Sequence, residues 1–165
     1  MYPSRCLRRP TVSVAVFDEA LEHKVALMVR SLASQTWGSR LGLAANQIGL
    51  TERMAIVLGR LVINPTWQPS KAPPDISIEG CYSLGMEKMF RVKRAPYGWA
   101  KWQDIHGEWH EEKLRGMKAV VFQHEIDHLD GRTCVEGGEP VEVPDNVKRL
   151  INSHQSSQEE SSAIQ

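Results

Sequence analysis

Residues 123–131 read Gln-His-Glu-Ile-Asp-His-Leu-Asp-Gly, and this stretch restricts the chain more than any other. His124 and His128 are four apart, so on a helix they share one face, one turn above the other. Both imidazoles then reach a single metal ion, with Glu125 beside it to carry a proton. Ala119, Phe122, Ile126 and Leu129 recur at helical spacing as an apolar stripe. Val120, Val121, His124 and His128 form the adjacent face. A metal face beside a core face belongs to a buried helix, and the pattern predicts one over residues 116–129, stopped by Gly131. A surface helix can carry the same two histidines by accident, so the rest of the chain has to decide.

A chain of 165 residues suits one compact domain, and 41% hydrophobic with 24% charged residues is ordinary for a soluble globular protein. Lys+Arg and Asp+Glu balance at 20 each. No overall field therefore directs the chain to nucleic acid or a membrane, although a local patch does not show in a sum. Three cysteines, Cys6, Cys81 and Cys134, make no disulfide framework and imply a reducing compartment. Arg5, Arg8 and Arg9 before the apolar residues of 11–17 look briefly like a signal peptide. The run is short, however, and Asp18-Glu19 ends it without a small-residue cleavage site. No run approaches transmembrane length. The expectation is a cytoplasmic chain without membrane contact.

Along the chain, residues 1–17 read as an extended arm and Asp18 as an N-cap. Leu21, Val25, Met28 and Leu32 then predict an amphipathic helix of about 17 residues, ending near Trp37-Gly38. Residues 40–49 are mostly small, with glycines on both sides of Asn46-Gln47. Such a backbone serves either a tight connection or the close approach of another group. Two short apolar runs around Gly59-Arg60 predict a hairpin that Asn64-Pro65 stops. Residues 66–75 hold three of the nine prolines and read as loop. Residues 76–79 read as extended. Period-two alternation over residues 89–112, with a turn at Asp104-Ile105-His106-Gly107, predicts antiparallel hairpins. Four of the five tryptophans lie between Trp67 and Trp109, as suits strand faces. A last helix is expected over residues 144–151 and a disordered polar tail over 155–165. The expected class is α+β, with antiparallel sheets packed around the central helix in a single catalytic domain, residues 1–154.

A catalytic metal usually takes three protein ligands. His124 and His128 supply two. The third has several candidates: Cys81, the carboxylates of Glu136, Glu139 and Glu142, and His106 or His110. Cys81 has the most suggestive setting, a glycine-containing loop after a strand, and its thiolate is a strong soft ligand. Cys6 and Cys134 read as inert thiols.

Three stretches carry a resemblance. Leu41-Gly42-Leu43-Ala44-Ala45-Asn46-Gln47, Glu79-Gly80-Cys81-Tyr82-Ser83 and residues 123–129 resemble, in order and spacing, the three signature motifs of peptide deformylases. The similarity extends over residues 10–135 and includes Val62-Ile63-Asn64-Pro65. Arg40 stands where the family has a glycine, Tyr82 where it usually has leucine, and the connection from Leu58 to Leu61 is short, as in a compact variant.

The resemblance implies a metal-dependent hydrolase that removes the formyl group from N-terminal formylmethionine of newly made polypeptides and releases formate. It implies Cys81, His124 and His128 as ligands of one divalent ion, Fe(II) ahead of Zn, Ni or Co. Glu125 would carry the proton. The Gln47 amide and the Tyr82 backbone N–H would donate to the developing oxyanion, and Leu41 and Gly42 would pair with the substrate backbone. Val120 and Val121, one turn before His124, line a methionine pocket or simply pack the core. The partners implied are nascent formyl-Met chains, with a transient ribosome contact, for a monomer. Two rivals remain at this level. One is a zinc endopeptidase with a downstream ligand such as Glu142, and the other is a deformylase-like metal-binding module that has lost activity.

Overall fold

The computed structural model describes residues 5–35, 41–85, 88–143 and 145. Arg40, Trp37-Gly38, the Tyr82 side chain, the 155–165 tail and the expected last helix apart from Asp145 lie outside it.

Helix α1, Glu19–Ala33, starts where the sequence marks it: the Asp18 carboxylate accepts a bond from the Leu21 N–H at 3.0 Å. Eight strands follow the described chain in two antiparallel sheets. Strands β1 (Gly42–Ala44), β2 (Met54–Val57), β3 (Arg60–Pro69), β6 (Tyr97–Gln103) and β7 (Trp109–Arg115) form the first sheet in that order. Strands β4 (Asp75–Gly80), β5 (Met89–Arg94) and β8 (Gly138–Val141) form the second. Helix α2, Met117–Leu129, packs on the first sheet, and the short helix α3, Cys134–Gly137, leads into β8.

Both faces of β2 are buried, which is why it reads as an unbroken apolar run. Ala55 and Val57 pack with Val62, Ala100, Trp102 and Leu114 against Ala119, Phe122 and Leu129 of α2. Met54 and Ile56 pack on the other side with Leu21 and Met28 of α1. The β2–β3 hairpin turns on Leu58 and Gly59, with φ of 49° and 80°, the left-handed pair that a two-residue hairpin requires.

Three expectations need correcting. Within the arm expected to be extended, Arg5–Arg8 form a 3-10 turn. Asn64-Pro65 does not end β3. Asn64 takes φ of 50°, which bulges the strand and shifts its register against β6 between Ile63 and Thr66. Pro65, which has no N–H to contribute, sits in that bulge, and pairing resumes as far as Pro69. The alternation over residues 89–112 is also not one set of hairpins. β6 pairs with β7, but β5 pairs with β4 and β8 in the other sheet. Local pattern detects strands and is blind to the change of sheet at Ala95-Pro96.

Asn64 also anchors the N-terminal arm. Its Oδ1 accepts from the Val14 N–H at 2.8 Å, and its Nδ2 donates to the Val14 carbonyl at 2.8 Å and to Gln103 Oε1 at 2.7 Å. Asn64→Ala removes three hydrogen bonds at a left-handed position. The expected cost is about 2–4 kcal/mol of unfolding free energy, measured by urea titration.

Candidate metal centre and active site

Period two places Glu79 and Cys81 on one side of the chain leaving β4, and that side faces α2. The result is a cluster in which one ligating atom each from Cys81, His124 and His128 lies within 4.8 Å of the others. Cys81 Sγ is 3.2 Å from His128 Nε2, and the two imidazoles meet edge-on at 4.9 Å between centres. Cys81 and His128 are buried, and His124 is partly so. The other third-ligand candidates are engaged or distant. Glu136 caps α3 through Thr133, His110 bonds Asp104 at 2.8 Å, and Glu139 sits in β8 opposite Arg91. Among the described residues this is the one cluster of such groups fit to hold a metal ion.

Behind the cluster lies a charged layer. Glu79 Oε2 meets His124 Nδ1 at 2.9 Å, which leaves His124 Nε2 for the cluster. Arg94 donates to both Glu79 oxygens at 2.8 Å and to Asp127 Oδ2 at 2.5 Å. Burial opposes the Glu79 charge, but Arg94 and His124 together outweigh it and hold the carboxyl down to about 2. Burial, with the positive charge of His124 and Arg94, lowers His128 to about 3, so that imidazole stays neutral as a ligand must. Burial also opposes charge on His124, yet bonds to Cys81 and Glu79 and the nearby Glu125 raise it to about 10. A position that favours positive charge this strongly suits a cation in the proton's place. Burial pushes the Cys134 thiol up to about 12, so it stays protonated in its apolar cluster with Leu84, Phe90 and Val92.

Glu125 is buried against β1. A Cβ on Gly42 would fall 2.1 Å from Glu125 Oε1, so only glycine leaves room for this carboxylate. Oε2 of Glu125 has no protein partner, and burial pushes the group up to about 7. Residues Ala45–Ile48 form a 3-10 turn after β1. Gln47 Oε1 accepts from the Ala44 N–H at 2.7 Å, and its amide nitrogen lies 3.7 Å from Cys81 Sγ and 3.0 Å from Ser83 Oγ. Asn46 donates to the carbonyl of His128 from behind the helix.

A cavity of about 260 Å³ opens in front of this group. Leu41 and Gly42 of the first sheet's edge line one wall, and Ile78 and Glu79 of the second sheet's edge line another. Met117, Val120, Val121 and Met89 supply its apolar surface. Val121 is also buried in the core behind α2, so it serves both places; Val120 is half-buried. Of the sequence-predicted site residues, Leu41, Gly42, Gln47, Cys81, Val120, Val121, His124 and Glu125 line this cavity, His128 lies beside Cys81, and Tyr82 follows Cys81 in the chain.

Residues 1–142 match the family model described as polypeptide deformylase. A peptide deformylase of Thermotoga neapolitana is 33% identical over 150 residues, covering 88% of this chain and 89% of that one. The chain belongs to the peptide deformylase family. Members of the family are metal-dependent hydrolases, which agrees with the cluster. The fold matches solved deformylases as well. The Thermotoga maritima enzyme superposes with a TM-score of 0.75 at 30% identity, covering 84% of this chain and 95% of that one. The Plasmodium falciparum enzyme, solved in complex with an inhibitor, gives 0.76 at 28% identity, covering 94% and 95%.

Sequence reasoning assigned no role to Glu79, Arg94, Asp127 or Asn46. A signal existed for Arg94: it falls on the phase of Phe90 and Val92, a charge where the strand pattern expects an apolar residue. A buried cation needs a buried anion, and Glu79 is the one it finds.

Glu79 is depressed in the folded state, so its stabilisation is full above its unfolded value near 4.5 and is lost as pH falls through about 2. In the metal-free protein this amounts to about 3 kcal/mol between those limits. Glu79→Gln is expected to be less stable at pH 6 and to show a flatter loss of stability between pH 4.5 and 2, read by urea titration at each pH.

Proposed function

We propose that this chain hydrolyses the N-formyl group from polypeptides beginning with formylmethionine, releasing formate and a free amine, with Cys81, His124 and His128 holding one divalent metal. The single observation that carries it is a thiol and two imidazoles clustered beside one cavity, which Cys81, His124 and the buried carboxylate of Glu125 line. A zinc endopeptidase would leave Cys81 without a role, and a purely structural site would need neither Glu125 nor Gln47.

The donor set fits a borderline first-row ion, with Fe(II) proposed ahead of Zn, Ni or Co. When bound, the ion supplies Lewis acidity, polarising the formyl carbonyl and making a water acidic near neutrality. The protein does the rest. Glu125, its proton affinity raised by burial, accepts the proton of the attacking water and passes it to the amine as the carbon–nitrogen bond breaks. The Gln47 amide group is held in place because its own oxygen is tied to Ala44 N–H. Its N–H groups and the Tyr82 backbone N–H are the donors proposed for the developing oxyanion. Leu41 and Gly42, on a sheet edge, offer the substrate backbone an extended partner. Val120 and Val121, with Met117 and Met89, receive the methionine side chain. We place the reaction in a reducing cytoplasm, where a ferrous thiolate site survives, with the chain a monomer in transient contact with the ribosome. No described helix is long and apolar enough to cross a membrane.

Glu125→Ala is expected to lower kcat/KM on a short formyl-Met peptide by roughly 10³-fold, within the range for a lost acid–base group. The cobalt-loaded variant should keep the near-ultraviolet band of a thiolate ligand. An unchanged rate, or a cobalt form lacking that band, would sink the mechanism. Gly42→Ala tests the space left for the carboxylate. Its methyl displaces Glu125, and an expected fall of about 10²-fold should come with unchanged metal content by elemental analysis.

A further inference from the structure

Three large aromatic side chains stand in solvent on one face of the first sheet. Along β6, alternation sends Gly98, Ala100 and Trp102 inward and Tyr97, Trp99 and Lys101 outward. Along β7 it sends Leu114 inward and Trp109, Glu111, Lys113 and Arg115 outward. Tyr97, Trp99 and Trp109 are 37%, 47% and 54% exposed. Helix α1 packs over the β1, β2 and β3 end of this face. Two of the clustered tryptophans are accounted for by the core, since Trp67 and Trp102 pack on Phe122 at 5.8 and 6.4 Å. Trp99 and Trp109 belong neither to the core nor to the metal site.

Cations interleave with these rings. Trp99 pairs across the sheet with Lys113, Tyr97 with Arg115 and Lys101 with Glu111. Lys101 Nζ lies 4.8 Å from the centre of the Trp109 ring, and Lys113 Nζ lies 5.0 Å from that of Tyr97. The outward side of β6 and β7 therefore carries three cations against Glu111, in a chain whose total charge is zero.

We propose that this face binds single-stranded RNA with little sequence preference, stacking bases on Tyr97, Trp99 and Trp109 and meeting phosphates with Lys101, Lys113 and Arg115. Outward residues two apart on a strand are about 6.8 Å apart, a step that an unstacked single strand spans. A base offers each ring a second π-face, and the ammonium already held beside the ring meets the adjoining phosphate. A protein partner fits worse, because lysine is depleted at the centre of such interfaces. A duplex fits worse too, because a flat sheet face presents no element to enter a groove. The face lies across the sheet from α2, so RNA held there leaves the cavity open. The proposal needs nothing from the reaction assigned to the metal centre.

The test is fluorescence anisotropy of a labelled oligouridine of about 12 nucleotides, with the full metal-loaded chain. Binding in the micromolar range that weakens with salt is expected. Trp99→Ala with Trp109→Ala should weaken it about tenfold or more. Lys101→Ala with Lys113→Ala should weaken it and reduce the salt slope by about 1.4. Both double variants should keep wild-type deformylation of a short peptide, which reports an intact fold. No anisotropy change with the wild type, or wild-type binding by both variants, would overturn the proposal. So would finding that the same substitutions release phosphatidylglycerol vesicles or dissolve a dimer while RNA is never bound.

Discussion

Glu79 keeps a negative charge inside the protein because Arg94 meets both its oxygens and His124 meets one. That contact joins three elements. Glu79 comes from β4, Arg94 from the end of β5 and His124 from α2, so the second sheet and the helix of the first are pinned at one point. Arg94 reaches on to Asp127, three residues beyond His124 on the same helix. Two contacts one turn apart fix the rotation of α2 as well as its position. Buried ion pairs are a weak source of net stability. Their effect here is orientational: His124 has its Nδ1 occupied, and Cys81, two residues past Glu79, is delivered to the other side of the same ring.

Space is the complementary constraint. The cavity lies where the two sheets each present an edge strand, β1 on one side and β4 on the other. Open edges are usually a liability for a folded chain. These two are short and face a shared cavity, and α2 forms its floor. Helix α2 reaches β1 closely enough that Glu125 occupies the volume a side chain at residue 42 would need. At the far end of α2, Gly131 plays a similar part: with φ of 74°, it turns the chain away where a Cβ would meet the Arg8 backbone at 2.9 Å. Close backbone approaches at Gly42 and Gly131 thus add to the side-chain packing of Phe122 and Leu129 in holding the C-terminal half of the helix.

How much of this was legible in the sequence follows from the range of each interaction. The helix with His124, Glu125 and His128 repeats at a period the sequence displays, so its extent and apolar stripe could be read directly. The N-cap at Asp18 is local as well, and so is the hairpin turn, expected at Gly59-Arg60 and closed one residue earlier, at Leu58-Gly59. Cys81 was one of several possible third ligands by residue type. Its glycine-containing loop and soft thiolate favoured it and the resemblance to known motifs singled it out, because no local pattern records that the end of β4 lies against α2. The same limit hid the role of Glu79 and the split of β5 from β6 into different sheets. Asn64-Pro65 misled for a different reason. Asparagine and proline together signal a stop, yet an asparagine that tolerates a left-handed backbone can bulge a strand without ending it.

The segment before α1's partner sheet shows how two readings of one stretch can both hold. Its small residues looked equally suited to a tight connection and to the close approach of another group. In the structure Gly42 and Ala44 lie in β1, and the polar pair follows at once in a 3-10 turn. With three residues per turn, neighbouring side chains point about 120° apart. Asn46 therefore turns back to the carbonyl of His128, while Gln47 turns forward to Cys81 and Ser83. One tight connection holds a histidine of the cluster from behind and faces the thiol from the front. A longer side chain at residue 42 would displace Glu125, and a looser turn would separate the two amides from their targets. The smallness of this stretch and its two polar residues are parts of a single geometric requirement.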